Sequence, residues 1–239
     1  MTRSVEPAGG LAEALRLLDT VLGAAVDRLA RRLGPATLLD PWRGMHLERA
    51  DVELLLAATH HPEFGVDGVA GLLGGAARMV PRLQRVAAEQ GLADVDLALL
   101  LIALAPDVDL KYEKVYGYLQ DDLTRKRPTP DLAANMLACD AEQRLQVLSR
   151  MDATSPLMRA RTLVLRGSAE QSWIAHAIGL DGPWLNWLLG RELVDPARDD
   201  WCLLRQPGGV ELDELGLDPD LRARLQPMLC RAGCGPQIL

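Results

Sequence analysis

The sequence predicts a mainly helical chain, a helical bundle with a few short β-strands, and three observations carry that prediction. Hydrophobic residues make up 49% of the 239 positions but aromatic ones only 4%, with a single Phe. The core must therefore be built from Leu, Ala and Val, and Leu and Ala lose little on entering a helix, whereas strands favour β-branched and aromatic side chains. Apolar residues also recur at helical spacing through much of the chain, and Gly and Pro punctuate the recurrences.

From Leu11 to Leu33 the stripe Leu11, Leu15, Leu18, Leu22, Val26, Leu29, Leu33 predicts an amphipathic helix, which Gly34-Pro35 should end. A loop through Asp40-Pro41-Trp42-Arg43-Gly44 leads to a helix over about Arg49–Thr59, stopped by His60-His61-Pro62. Val66 to Gln90 is helical and Gly-rich, kinked or split by Pro81, and Gly91 closes it. Val95 to Ala105 is apolar apart from Asp96, so a helix there must be surrounded by protein, and Pro106 should end it.

A helix over about Asp109–Asp122 follows. Thr129-Pro130-Asp131 then supplies a cap, a proline at the first helical position and an acid in the first turn, so a helix runs from there to about Ala138. Asp140 to Arg150 is another, Ser155 caps a further one, and Arg161 to Arg166 reads as a short strand ended by Gly167. Beyond it come a short helix near Gly182–Leu189, a second strand at Trp201–Arg205 and a last helix over about Asp218–Leu229. Helices in tight succession followed by two short strands are the order of a winged-helix-like unit, with a plain bundle as the alternative. The corresponding division is an N-terminal helical domain over 1–92, a winged-helix-like domain over 93–210 and a C-terminal helix and linker over 211–239.

The charge balance, 26 basic residues against 33 acidic ones for a net charge of -7, disfavours phosphate backbones and anionic lipid unless a basic patch is concentrated locally. The longest apolar run, Leu97 to Ala105, falls far short of the roughly 20 residues of a membrane-spanning helix. No targeting signal is evident at the N-terminus, so the expected compartment is the cytoplasm. Cys139, Cys202, Cys230 and Cys234 have neither zinc-motif spacing nor the density of a disulfide scaffold, and read as reduced thiols.

Catalytic motifs are absent from the sequence. No Gly-x4-Gly-Lys-Ser/Thr loop occurs, and Gly68 to Gly75 reads as close helix packing. No serine sits in a nucleophile elbow. His60 and His61 are adjacent, hence on different helix faces, where zinc ligation wants a pair one turn apart. His176 lies in an apolar stretch and reads as a satisfied core residue. The densest chemistry is Asp107 to Asp131, where Tyr112, Tyr116 and Tyr118 are followed by Asp121, Asp122 and the basic run Arg125-Lys126-Arg127. Five cations there face six carboxylates, a mixture that favours internal salt bridges and protein recognition over phosphate tracking. These eight residues are the candidate partner-binding set, set against a solvated corner that ties two helices together.

The string Asp109-Leu-Lys-Tyr-Glu-Lys-Val-Tyr-Gly-Tyr-Leu-Gln-Asp-Asp-Leu-Thr-Arg-Lys-Arg-Pro-Thr-Pro-Asp-Leu132 resembles the N-terminal region of bacterial AAA-type (AAA+) ATPases linked to phage-tail-like contractile injection systems. Asp40 to Gly44 with Glu53 to Leu56, Leu97 to Pro106, and Asp181 to Asp195 are similar to further blocks of that family in the same order, so the resemblance runs from about residue 13 to the end. It implies a helical and winged-helix portion preceding an ATPase core whose Walker motifs would lie beyond Leu239 or be absent. On that expectation this chain is a non-catalytic module without a cofactor of its own, ATP and magnesium belonging to the downstream core. Its partners are then proteins, injection-system components or ATPase subunits, with oligomerisation through the ATPase core, no membrane and no nucleic acid. The alternative is a winged-helix DNA-binding transcriptional regulator; an enzyme whose residues converge only in three dimensions is a third, weaker reading.

Overall fold

A computed structural model of the chain describes residues 9–38, 49, 52–53, 64–191, 218 and 220. Contacts divide it into two compact units, Met1–Asp181 and Gly182–Leu239. In the first, α1 (Gly9–Leu38) buries Leu15, Leu18, Leu22 and Leu29 of the stripe read from the sequence, together with Ala14 and Ala25, while Leu11 and Val26 of the stripe are half-buried. It continues past Gly34-Pro35, where the sequence predicts its end. Proline deletes one ladder bond, a loss that a helix already nucleated over many turns tolerates.

Pro81 splits the next segment as expected: α2 (Val69–Arg78) stops three residues before it, and α3 (Pro81–Gln90) starts on it. Gly91 caps α3 in the left-handed region at φ 64°. At Gly74 the expected close packing is found, since a Cβ there would lie within 2.2 Å of the Asp94 carbonyl oxygen. Arg78, in the last turn of α2, donates to the Asp94 carboxylate (2.7 Å) and the Leu92 carbonyl (3.0 Å), tying α2 to the start of the central helix.

That helix, α4 (Asp94–Val108), buries every residue from Asp96 to Pro106. Pro106 lies inside its last turn instead of ending it, because the orphaned acceptor finds another donor. Without an N–H at position 106, the Ile102 carbonyl loses its helical partner; the Tyr116 hydroxyl of α5 (Lys111–Leu119) donates to it at 3.0 Å. Asp96, fully buried, accepts from the Ala93 N–H (2.9 Å) and from both Nε (2.7 Å) and Nη2 of Arg150, 54 residues away. Apolar burial makes α4 central, and one buried ion pair fixes its N-terminus to the end of α7.

Two capped helices follow: α6 (Pro130–Leu137), with Thr129 accepting from the Leu132 N–H, and α7 (Ala141–Ser149), with Asp140 accepting from the Gln143 N–H. Only Ala138-Cys139-Asp140 separates them. Across this turn Arg144 donates to Asn135 and Asp131, both at 2.6 Å. A short helix α8 (Pro156–Arg159), capped by Ser155, leads into β1 (Leu163–Arg166), which pairs antiparallel with β2 (Ala177–Leu180) in the register Leu163↔Leu180 to Arg166↔Ala177. Between the strands lies a connection ending in a 3-10 turn at Trp173–Ala175. On the other side of β2 the Ile178 N–H donates to the Pro128 carbonyl (2.7 Å), so the segment entering α6 lies beside the sheet.

The partner of β1 is thus Ala177–Leu180, a segment the sequence does not mark as a strand. The strand expected at Trp201–Arg205, the helix over Asp218–Leu229, most of the helix over Arg49–Thr59, Asp40 to Gly44, His60 and His61 lie outside the described residues, apart from single positions. In the second unit, α9 (Gly182–Leu188) matches the short helix read from Gly182 onward, with Trp184 and Trp187 edge to face at 5.9 Å. Among the described residues no helix is long and apolar enough to cross a membrane.

Candidate functional site

The aromatic and charged corner comes together as a unit, but its members face different ways. Tyr112 and Tyr116 are 1% and 0% exposed. Their rings stack tilted at 6.2 Å, and the Tyr112 hydroxyl donates to the Leu15 carbonyl of α1 at 3.3 Å. This corrects the expectation that both rings meet a partner: they are core residues that close α5 onto α1 and α4. Burial above all pushes both hydroxyls well above the ordinary tyrosine value; nearby Asp19 adds to this in each case. Tyr118 is half-buried and Asp121 exposed, the latter at φ 51°, a left-handed turn that acidic residues tolerate better than most.

The basic run is already neutralised from within. Arg127 forks onto Asp107 with two 2.6 Å bonds, Lys126 lies 3.7 Å from Glu113, and Arg125 lies 3.1 Å from Asp122. Hydrogen bonds from Thr124 hold the Asp122 carboxyl below its ordinary range, with Arg125 contributing. Gln120 knits the loop shut: its amide donates to the carbonyls of Tyr116, Arg125 and Arg127, and its oxygen accepts from the Thr129 hydroxyl at 2.8 Å. A guanidinium paired bidentately with a carboxylate has little left for a phosphate. The corner therefore works mainly as a brace that delivers the chain to the N-cap of α6, and it leaves Leu123, 79% exposed, at its tip.

Other sequence candidates fall into place individually. Cys139 is a free, partly buried thiol in the α6–α7 turn; burial first, then Asp140 and Asp67, raises it away from reactivity. Among the described residues no three His, Cys, Asp or Glu converge as a metal site would require. His176 departs from its expected role as a satisfied core residue, because its Nε2 is buried without a hydrogen-bond partner. The ring packs against Gly167, where a Cβ would meet it at 2.2 Å, so the two ends of the β1–β2 connection are pressed together.

Two helices joined by a three-residue turn and followed by a two-stranded antiparallel sheet set the family question, and a family model described as "winged helix domain, variant" matches residues 72–197, just over half of the chain. The chain belongs to the winged helix domain family. No curated protein and no solved structure matches it. In a winged helix unit the second helix of the helix-turn-helix is the recognition element, which here is α7, and the wing is the 167–176 connection.

This recognition surface lacks the positive charge with which such helices grip DNA. On α7 the exposed side chains include Glu142, Leu145, Gln146 and Ser149, with Leu145 68% exposed, while its one arginine, Arg144, is committed to Asp131 and Asn135. Arg150, just beyond, is committed to Asp96. The wing tip, Gly167-Ser-Ala-Glu-Gln-Ser172, contributes Glu170 and no cation. Exposed cations in this half of the unit lie instead at Arg159, Arg161 and Arg166, before and along β1. None of these positions was singled out by reasoning from sequence, because the roles of α7 and the wing become visible only once β1 and β2 are paired.

Proposed function

We propose that this winged helix chain is a non-catalytic interaction module that recognises protein partners, within an AAA-type ATPase assembly linked to contractile injection systems. The observation that carries the protein-binding part is the uncharged-to-acidic recognition helix with an exposed leucine at its centre. Nonspecific DNA binding draws nearly all its free energy from cations set against phosphates, and this helix offers none that is not already paired. Apolar and polar residues without net positive charge suit a protein surface better. The link to injection systems rests on the resemblance of Asp109–Leu132 and the flanking blocks, and no catalysis or cofactor is assigned to this chain.

The test is to mix the purified chain with an injection-system ATPase and with its sheath and tube components, and to follow association by sedimentation velocity. Binding that weakens at least tenfold on Leu145→Glu supports the reading. Hydrolysis of ATP by the chain alone at rates typical of an ATPase overturns it. The DNA-binding alternative is favoured by Arg159, Arg161 and Arg166 beside the wing, and duplex binding lost on reversing those charges would establish it.

A further inference from the structure

A second surface lies on the outer side of α1 and α2. These helices run antiparallel: a Cβ on Gly10, at the start of α1, would lie 2.6 Å from the Met79 carbonyl oxygen just past α2, while Arg28, much further along α1, donates to the Phe64 carbonyl ahead of α2. Between them runs a groove of about 400 Å³, lined by Ala14, Leu17, Ala76 and Met79, with Glu13 and Arg16 on its α1 wall. One face of α2 buries Val69, Leu73, Gly74 and Ala77. The opposite face leaves Leu72 52% and Met79 74% exposed. Two helical turns separate these two side chains, so they project from the same side.

The pattern on this face is complementary to itself. Glu13 and Arg16 are exposed, carry opposite charges one turn apart, and neither is ion-paired with another described residue. In a two-fold dimer the same patch meets itself, so that residue i contacts j and j contacts i. A two-fold axis crossing both helices lays α1 antiparallel on the copy's α1 and α2 on its α2. Placed midway between Glu13 and Arg16, it brings each carboxylate to the copy's guanidinium. Placed midway between Leu72 and Met79, it brings the leucine to the copy's methionine, with the small Gly75 and Ala76 at the crossing. Measured from the Gly10–Met79 contact at ~1.5 Å per residue, the first midpoint lies ~7 Å along α1 and the second ~5 Å back along α2. One axis therefore satisfies both pairings. We propose that two copies of this chain associate through this face, Glu13 meeting Arg16 and Leu72 meeting Met79 across the axis. The proposal goes beyond the partner recognition assigned to α7 and uses none of its residues.

Sedimentation equilibrium of the full chain, from micromolar to near-millimolar concentration, should show a monomer–dimer equilibrium. Met79→Lys places a cation at a helix C-terminus, where the fold tolerates it, and should weaken dimerisation at least tenfold with the circular dichroism unchanged. Glu13→Arg and Arg16→Glu, each alone, set like charges against each other at both symmetry-related contacts and should weaken it at least threefold. Mixing those two variants restores opposite charges at both contacts, and the mixture should dimerise as tightly as the wild type. A chain that stays monomeric throughout, or a mixture no tighter than either variant alone, overturns the proposal. If Met79→Lys abolishes binding of an injection-system component without changing the chain's own mass, the face belongs to that partner and self-association falls. Leu145→Glu should leave the dimer intact, so this proposal and the reading of α7 as a partner-binding helix fail separately.

Discussion

Replacing Tyr116 by Phe keeps the ring and removes one hydroxyl, and the structure fixes what that hydroxyl does. It donates at 3.0 Å to the Ile102 carbonyl, whose helical donor is missing because position 106 is proline. Ile102 and Tyr116 are both 0% exposed, so no water replaces the lost donor. Leaving a buried acceptor unpaired costs about 1–3 kcal/mol. In a Pro106→Ala background the restored N–H gives Ile102 a helical partner, and Tyr116→Phe should then cost only the ~0.5–1.5 kcal/mol of an ordinary hydrogen bond. Urea denaturation followed by circular dichroism, run on the wild type, both single variants and the double variant, measures the coupling directly. Equal costs of Tyr116→Phe in the two backgrounds would refute the idea that the tyrosine compensates the proline.

Arg150→Ala leaves the Asp96 carboxylate fully buried with the Ala93 N–H as its remaining donor, so a loss of about 3–5 kcal/mol is expected in the same assay. Gly74→Ala should destabilise despite the helix propensity of alanine, since its Cβ would overlap Asp94, whereas Gly71→Ala, with nothing within 4 Å, should stabilise by up to about 1 kcal/mol; thermal melts of the two order them. Tyr112 and Tyr116 titrate well above their unfolded value of 10.0, so the stability they confer is complete below pH 10 and lost as the pH rises through their folded values. Denaturation midpoints should therefore fall above pH 10, and tyrosinate absorbance from these two rings should appear together with unfolding.

The helices were largely legible because their signals are local: Thr129-Pro130-Asp131 and Ser155 announce caps that the structure contains. The apolar run at Leu97 likewise announces a helix enclosed by protein. Pro106 misleads because its cost is met by a hydroxyl ten residues further along the chain, a tertiary fact. The strand Ala177–Leu180 was missed because Ala-Ile-Gly-Leu has neither alternation nor a β-branched majority; it is a strand through its pairing with β1 and Pro128. At the candidate site, composition correctly showed mixed charge, but burial decides that Tyr112 and Tyr116 are core, and the bidentate pair with Asp107 commits Arg127 while Arg125 and Lys126 stay exposed beside Asp122 and Glu113. The exposed faces of α7 and β1 carry no sequence motif at all; they are defined by which neighbours are absent.

On the proposed reading, the recognition helix and wing serve a protein and not a nucleic acid. Fluorescence anisotropy of the full chain against a mixed-sequence duplex, repeated from low to physiological salt, tests it most directly. At most weak binding is expected at low salt, vanishing at physiological ionic strength and unchanged by Glu142→Ala. Submicromolar binding that persists at physiological salt, and that tightens when Glu142 is neutralised, would contradict it.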